Sequence, residues 1–261
     1  MISIRAAAFA GALFIACTVW VSGAWGALCP ADVTDFTAKV RHVYDGDTVK
    51  LEDGRAVRLV GLNTPEISRD ESPSDPYARA ARRALIEMLD TTGFRVHGRY
   101  DTERRDRYGR TLAHLFLPDG NSLTAMLLQR GLGAAITVPP NVWNGECYFA
   151  AEAGARDRLR GMWSHPRFQP IESTRLSRSA SGFRLIKGEV ERVGLRRNSI
   201  WLDLPGGVSL RIDKRDLQYL AGVDPVGLKG SGVVARGWLY KRKGKLRMRI
   251  RHASAIEVRS K

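Results

Sequence analysis

Between Phe36 and Leu62 the chain alternates short apolar runs with two glycine-centred breaks, Asp45-Gly46-Asp47 and Asp53-Gly54, and this punctuation constrains the fold more than any other feature. Phe36 to Val43 alternates as a strand does. Thr48 to Leu51 and Ala56 to Leu62 read as two more, and Asp53-Gly54 between them is a strong hairpin signal. From Tyr77 to Leu89 apolar residues recur at helical spacing, with arginines on the opposite side. Phe94 to Tyr100 and Thr111 to Leu117 read as further strands, the second closed by the turn Pro118-Asp119-Gly120. Ser122 can cap a helix running through Leu123, Met126 and Leu127 that stops at Gly131, and Glu146 to Arg160 reads as a last helix ending at Gly161. This order predicts an α+β unit, a small twisted five-stranded barrel with three helices packed on it.

Residues 164–182 are rich in Ser, Arg and Pro and have no apolar period, so 167–181 read as a linker. Beyond it, Phe183 to Val193, Ser199 to Leu204, Val208 to Ile212, Val233 to Tyr240 and Lys245 to Ile250 are strand-like, with turns at Gly206-Gly207 and Lys243-Gly244. Five short strands in this block, 182–261, predict a second small β-barrel, possibly OB-like. In its last run Leu246, Met248 and Ile250 alternate with Lys245, Arg247, Arg249 and Arg251, so the cations share one face. Such a stripe suits a phosphate backbone, where counterion release rewards it. Lys241, Arg242 and Lys243 extend it, and Trp238 and Tyr240 on the partner strand can stack bases. The alternative is a solvated edge strand that uses charge to block aggregation.

The chain has 42 Lys+Arg against 27 Asp+Glu, a net charge of +15, which points to a polyanionic partner: nucleic acid first, an acidic membrane surface second. At the N-terminus Arg5 is the only charge before residue 32, residues 6–21 are apolar, and Ser22-Gly23-Ala24 supplies small residues. Residues 1–27 therefore read as an export signal that leaves no transmembrane segment in the mature chain, with a secreted, periplasmic or envelope location. An uncleaved anchor and a lipid attached at Cys17 are the alternatives. Removing the signal leaves Cys29 and Cys147, which form either a disulfide, as an exported chain permits, or two separate buried thiols. No Cys-x-x-Cys pair is present and the histidines lack metal-ligand spacing, which argues against zinc. No feature implies a stable protein partner.

Against this frame four charged residues stand out: Asp47, Arg58, Glu66 and Arg110. Asp47, after Gly46, can give a hard oxygen to a divalent cation or close an Asx turn. Arg58 lies on a strand whose neighbours Val57 and Leu59 point the other way, so it can grip a phosphate or make a surface salt bridge. Pro65 holds Thr64 extended, which can aim the Asn63 side chain, the Thr64 carbonyl and the Glu66 carboxylate at one point, though a helix cap would look similar. Arg110 follows the turn Tyr108-Gly109.

Taken together, Asp45-Gly46-Asp47-Thr48, Arg58-Leu59 with Thr64-Pro65-Glu66, Asp106-Arg107-Tyr108-Gly109-Arg110, the run from Ala125 to Leu132, and the helix leading to Gly161-Met162-Trp163-Ser164 resemble the staphylococcal nuclease family over residues 36–165. The resemblance implies an OB-type barrel and calcium-dependent cleavage of DNA and RNA that leaves a 3′-phosphate. It casts Asp47 as a metal ligand, Thr64 as a backbone-carbonyl ligand, Glu66 as the group that positions or deprotonates the attacking water, and Arg58 and Arg110 as the phosphate-gripping pair. Two departures stand against the pattern. Asn63 occupies the place of a second metal-binding aspartate, so weaker calcium binding and a looser metal choice are expected. The segment Ala134-Ala135-Ile136-Thr137-Val138-Pro139 lacks the tyrosines that hold the nucleotide in the family prototype, and Trp143 is the nearby candidate to replace them. The leading expectation is an exported metal-dependent nuclease. The rivals are a nuclease-like barrel that binds nucleic acid without cleaving it and an envelope protein that meets anionic lipid.

Overall fold

The computed structural model describes residues 26–68, 70–71 and 73–259, so nearly all of the signal-like segment lies outside the described residues. The first unit is a closed barrel. Strands β1 (Phe36–Val43), β2 (Thr48–Leu51) and β3 (Ala56–Leu59) form a meander, β4 (Leu62–Asn63) leaves it, and helix α1 (Ala78–Asp90) follows. Strands β5 (Arg95–Arg105) and β6 (Thr111–Phe116) complete the wall, in the order β1-β2-β3-β6-β5 with β5 returning to β1. The β2–β3 turn is the expected hairpin: Gly54 has φ +90° and the Leu51 N–H donates to the Arg55 carbonyl at 2.9 Å. Helix α2 (Leu123–Gln129) is capped by Ser122, whose Oγ accepts from the Ala125 N–H at 3.4 Å. A two-residue strand β7 (Ala134–Ala135) pairs with β4, and helix α3 (Gly145–Asp157) closes the unit.

One apolar cluster fills the barrel and the space beneath the helices, with Val49, Leu51, Val57, Leu59, Leu85, Leu89, Leu115 and Leu127 among its buried members. A disulfide between Cys29 and Cys147 ties the N-terminal tail to α3 across 118 residues, with Cα atoms 5.8 Å apart. Trp143 lies under Arg99, 4.3 Å from ring centroid to guanidinium carbon, and edge-on to His114, so its ring is committed to the barrel wall.

The second unit is a curled half-barrel, an eight-stranded form of the small β-barrel expected. Strands β8 (Ile171–Glu172), β9 (Gly182–Glu189), β10 (Arg192–Leu195), β11 (Ser199–Leu204), β12 (Val208–Asp213), β13 (Gly232–Arg242), β14 (Lys245–Ile250) and β15 (Ile256–Arg259) form an eight-stranded sheet. Its path runs β10-β11-β12-β14-β13-β9-β8, with β15 also on β13, and β10 does not return to the far end. Leu220 and Leu228, from the segment between β12 and β13, pack into the core with Ile200, Leu210, Val233 and Met248. The sheet curls around that segment instead of closing on itself. The run expected as one strand from Phe183 to Val193 breaks at Val190-Glu191, which turns the chain from β9 into β10.

The 167–181 stretch connects the units but is not a free tether. Ile171 and Glu172 pair in parallel with Ile186 and Lys187, and Ser173 is buried. The units share an apolar seam of Ala134, Ala155, Met162, Trp163 and Phe168 against Phe183 and Leu185. At that seam Arg236 of β13 donates to both carboxylate oxygens of Glu152 on α3, at 3.1 and 2.8 Å.

Candidate active site

The turn before β2 is built for close approach. A Cβ on Gly46 would lie 2.7 Å from both Thr64 Cγ2 and Ala81 Cβ, so only glycine lets the turn sit against the residues leading to Glu66. This contact sets Asp47 over the loop. Asp47 is 3% exposed, and both of its oxygens are bonded. Oδ2 accepts from the Thr64 N–H at 2.8 Å and the Thr64 hydroxyl at 3.0 Å, while Oδ1 accepts from the Thr48 hydroxyl at 3.0 Å and pairs with Arg58 Nη1 at 2.7 Å. Arg58 reaches Asp47 because Thr48 and Arg58 are directly paired across β2 and β3.

Glu66 lies just past this cluster. The two N–H···O bonds that Glu66 and Asp75 exchange pin its backbone: Glu66 N–H to Asp75 Oδ2 at 3.3 Å and Asp75 N–H to the Glu66 carbonyl at 2.9 Å. Asp75 in turn pairs with Arg167 at 2.8 Å, so the connection between the units braces the Glu66 loop. Although Glu66 reaches the surface, partial burial raises its pKa first, and the charge of Asp47 raises it further. Arg58 and Arg110 oppose that rise, with a contribution from Asp75 in the raising direction. The charges of Asp47, Arg58 and Arg110 are therefore all felt at the Glu66 carboxyl.

Arg110 is presented by a turn with Gly109 at φ +79°. Asp106 holds it: Oδ1 accepts from the Arg110 N–H at 2.9 Å and Oδ2 from Arg110 Nε at 2.7 Å. Burial works against the Asp106 charge, but the Arg110 bonds and the Tyr108 N–H keep its pKa below the usual carboxylate value. The guanidinium Nη atoms make no hydrogen bond to Asp106, which leaves that end of the fork for another oxygen anion.

Asp45 belongs to the same turn as Asp47. It is buried, and its Oδ1 accepts from the Asp47 N–H at 3.0 Å. Burial and then the charge of Asp47 push its pKa up to about 7, with Arg58 working the other way. The charge of Asp47 thus raises the cost of ionising both Asp45 and Glu66, and a hard cation is the partner that relieves it. The donor chemistry fits: carboxylates of Asp45 and Asp47, with the neutral oxygens of Asn63 and Thr64, both buried, and Thr64 held against Asp47 by its N–H and hydroxyl. Among the described residues no three His, Cys, Asp or Glu side chains are grouped as a metal site by themselves, so neutral oxygens and water would complete the coordination.

The basic stripe is only partly free. Strand β14 lies between β12 and β13, so it is not an edge and edge protection does not explain its charge. Arg249 is paired with Asp213 and Asp216, and Arg251 with Asp216 at 3.3 Å. Arg247 lies over the Trp201 ring at 4.8 Å. Lys241, Arg242, Lys243 and Lys245 are exposed, Trp238 is 44% exposed, and Tyr240 sits directly across from Arg247. The mutual repulsion of the alternating cations is met by two aspartates and an indole, which narrows the uncommitted charge to the β13–β14 turn.

Comparison with known proteins gives matches over part of the chain. A family model described as staphylococcal nuclease homologue matches residues 56–165. The thermonuclease of Staphylococcus intermedius is 40% identical over 113 residues, 42% of this chain and 66% of that protein. The thermonuclease of Staphylococcus hyicus is 32% identical over 138 residues, 52% of this chain and 80% of that protein. Endonuclease YncB of Bacillus subtilis is 31% identical over 125 residues, 46% of this chain and 58% of that protein. On the closed five-stranded barrel, the motif order and these matches, the chain belongs to the staphylococcal nuclease family.

Proposed function

We propose that the protein is an exported nuclease that hydrolyses phosphodiester bonds of DNA, RNA or both with a divalent cation, calcium first. The observation that carries this reading is the cluster packed around Gly46, in which Asp47 pairs with Arg58 at 2.7 Å and accepts at 2.8 Å from the N–H of Thr64, two residues before Glu66. When bound, the cation would supply a positive charge to the phosphoryl oxygens. Asp45, Asp47, Asn63 and the Thr64 carbonyl are the residues to hold it. Arg58 and Arg110 would stabilise the charge that builds on the equatorial oxygens, Arg58 turning from Asp47 to the phosphate as substrate and metal enter. Glu66 would orient and deprotonate the attacking water, and a carboxylate with a raised pKa is the better base near neutral pH. The exposed lysines and arginine at 241–245, with Trp238 and Tyr240, would add affinity for the polyanion and raise its local concentration at the barrel. Export is supported by the apolar leader of the sequence and by the Cys29–Cys147 disulfide, which persists in oxidising compartments.

The test is cleavage of plasmid DNA and of RNA with Ca²⁺, Mg²⁺, Mn²⁺ or chelator. Cation-dependent cleavage that is abolished in Glu66→Gln supports the reading. Nucleic-acid binding without cleavage under any of these ions would overturn it in favour of the binding-only barrel, which the Asp47–Arg58 ion pair also permits.

A further inference from the structure

Where the two units meet, a cleft of about 210 Å³ opens between residues 136–138 and Phe149 of the first unit and β13 of the second. Three side chains lining it each hold a buried polar atom with no partner among the described residues: Thr137 Oγ1, Arg236 Nη2 and Arg249 Nε. Buried polar groups are nearly always satisfied, and each exception calls for an explanation. Three exceptions on the walls of one cleft point to a polar partner that belongs there. Arg236 is the clearest case. It is 5% exposed, its Nη1 is spent on Glu152 and the Ala135 carbonyl, and Nη2 is left as its uncommitted end.

The other walls are mainly apolar, although Arg251 and Ser254 also line them. Trp238 and Tyr240 line the cleft from the same face of β13, Phe149 lies across from them under the Arg236 guanidinium at 5.2 Å, and Trp238 is the exposed ring. The cleft is smaller than the roughly 300–1,000 Å³ typical of drug-sized ligands, so it suits one planar ring system. A phosphate alone would leave the aromatic walls unused, and an acyl chain would leave the three polar atoms unsatisfied. A heterocycle with carbonyl and ring-nitrogen acceptors uses both.

We propose that this cleft is a nucleobase subsite that takes an unpaired base of single-stranded nucleic acid, stacked on Trp238 with its polar edge facing Arg236 Nη2 and Thr137 Oγ1. The identity of the ligand rests on the proposed nuclease function. The segment 134–139 carries no aromatic residue of its own, and in this arrangement the second unit brings the rings to it. The unit would then do more than raise charge density. It would favour strands whose bases are free over paired ones.

Fluorescence anisotropy in chelator, where cleavage is absent, tests this with three labelled probes of equal length: a single-stranded oligonucleotide, an abasic one and a duplex. The full chain should bind the base-bearing single strand more tightly than the other two. Trp238→Ala should weaken that binding about 5- to 150-fold and leave the abasic probe unchanged, as expected for loss of one stacking platform. Trp238→Phe should restore most of it, and Thr137→Val should weaken the base-bearing probe by a smaller factor. Equal weakening of all probes by Trp238→Ala, or no change with either variant, would overturn the subsite and assign the three polar atoms to water. Cleavage by the unmodified chain is read separately. Base-dependent binding without cleavage removes the nuclease reading alone, and cleavage without base dependence removes the subsite alone.

Discussion

The buried pair between Glu152 and Arg236 gives the most direct physical test of how the two units are joined. Glu152 is 2% and Arg236 5% exposed, and Arg236 Nη1 also donates to the Ala135 carbonyl at 3.0 Å. Replacing Arg236 with Met keeps much of the volume but leaves the Glu152 carboxylate in the seam with the Ala135 N–H, 3.0 Å away, as its remaining protein donor. Breaking a buried pair in this way costs about 3–5 kcal/mol, because the surviving charge is uncompensated. Replacing both, Arg236→Met with Glu152→Gln, removes the charge while Gln still accepts from Ala135. That double variant should lose less than the single Arg236→Met, with an interaction energy of about 1–3 kcal/mol. Urea denaturation followed by tryptophan fluorescence gives the stabilities, and proteolysis within 167–181 reports opening of the seam. Urea is preferred because a salt denaturant would screen the pair. If Arg236→Met costs less than about 1 kcal/mol, or if the two changes simply add, the pair is not a compensated buried charge.

At the candidate active site, Glu66→Gln and Arg110→Ala should each lower cleavage by about 100- to 1,000-fold or more while leaving binding of uncleaved nucleic acid in chelator within a few-fold of the parent. Loss of binding and cleavage together would reassign both residues to structure. His114 is fully buried, its Nδ1 sits 2.9 Å from the Tyr148 hydroxyl, and burial holds its pKa below 6.5 against the opposing charge of Asp101. The folded chain keeps it neutral while the unfolded chain protonates near 6.5, so stability should be full above that pH and decline as pH falls below it. His114→Gln should flatten that slope in pH-dependent melting, and an unchanged slope would clear His114 of the effect. Reduction of Cys29–Cys147, which spans 118 residues, should cost up to about 4–5 kcal/mol by chain entropy, seen as a lower urea midpoint in reductant. A midpoint unmoved by reductant would show that the unfolded chain is already constrained.

What could be read in the chain beforehand follows the range of the physics involved. The first barrel was legible because its cues are local: Asp53-Gly54 fixes one turn, Ser122 caps one helix, and strand alternation selects the inward face of β2 and β3. The four charged residues were ambiguous one by one, each also fitting a turn, a cap or a salt bridge, and only their order and spacing together singled them out. The role of Asp45 was not legible, because its raised pKa comes from burial and from Asp47, and burial is a property of the packed turn. Nor was the partial neutralisation of the stripe. Period 2 aligns Arg247, Arg249 and Arg251, but the aspartates and indole that answer them come from β11, β12 and the turn after it, 33 to 36 residues away for the Asp213 and Asp216 contacts. Nor were the loop residues of the second core legible, since Leu220 and Leu228 join it from a segment outside any strand. Arg236 reaches further still. It lies among Val234, Ala235 and Gly237 on a strand that would otherwise be read as core, a strong local violation of pattern, and its partner Glu152 is 84 residues earlier on an apolar helix face. Two such violations in separate units, each intolerable alone, make sense as one contact. Unmatched buried charges therefore carry information about docking that periodicity lacks, and here they mark the seam in which the proposed base subsite lies.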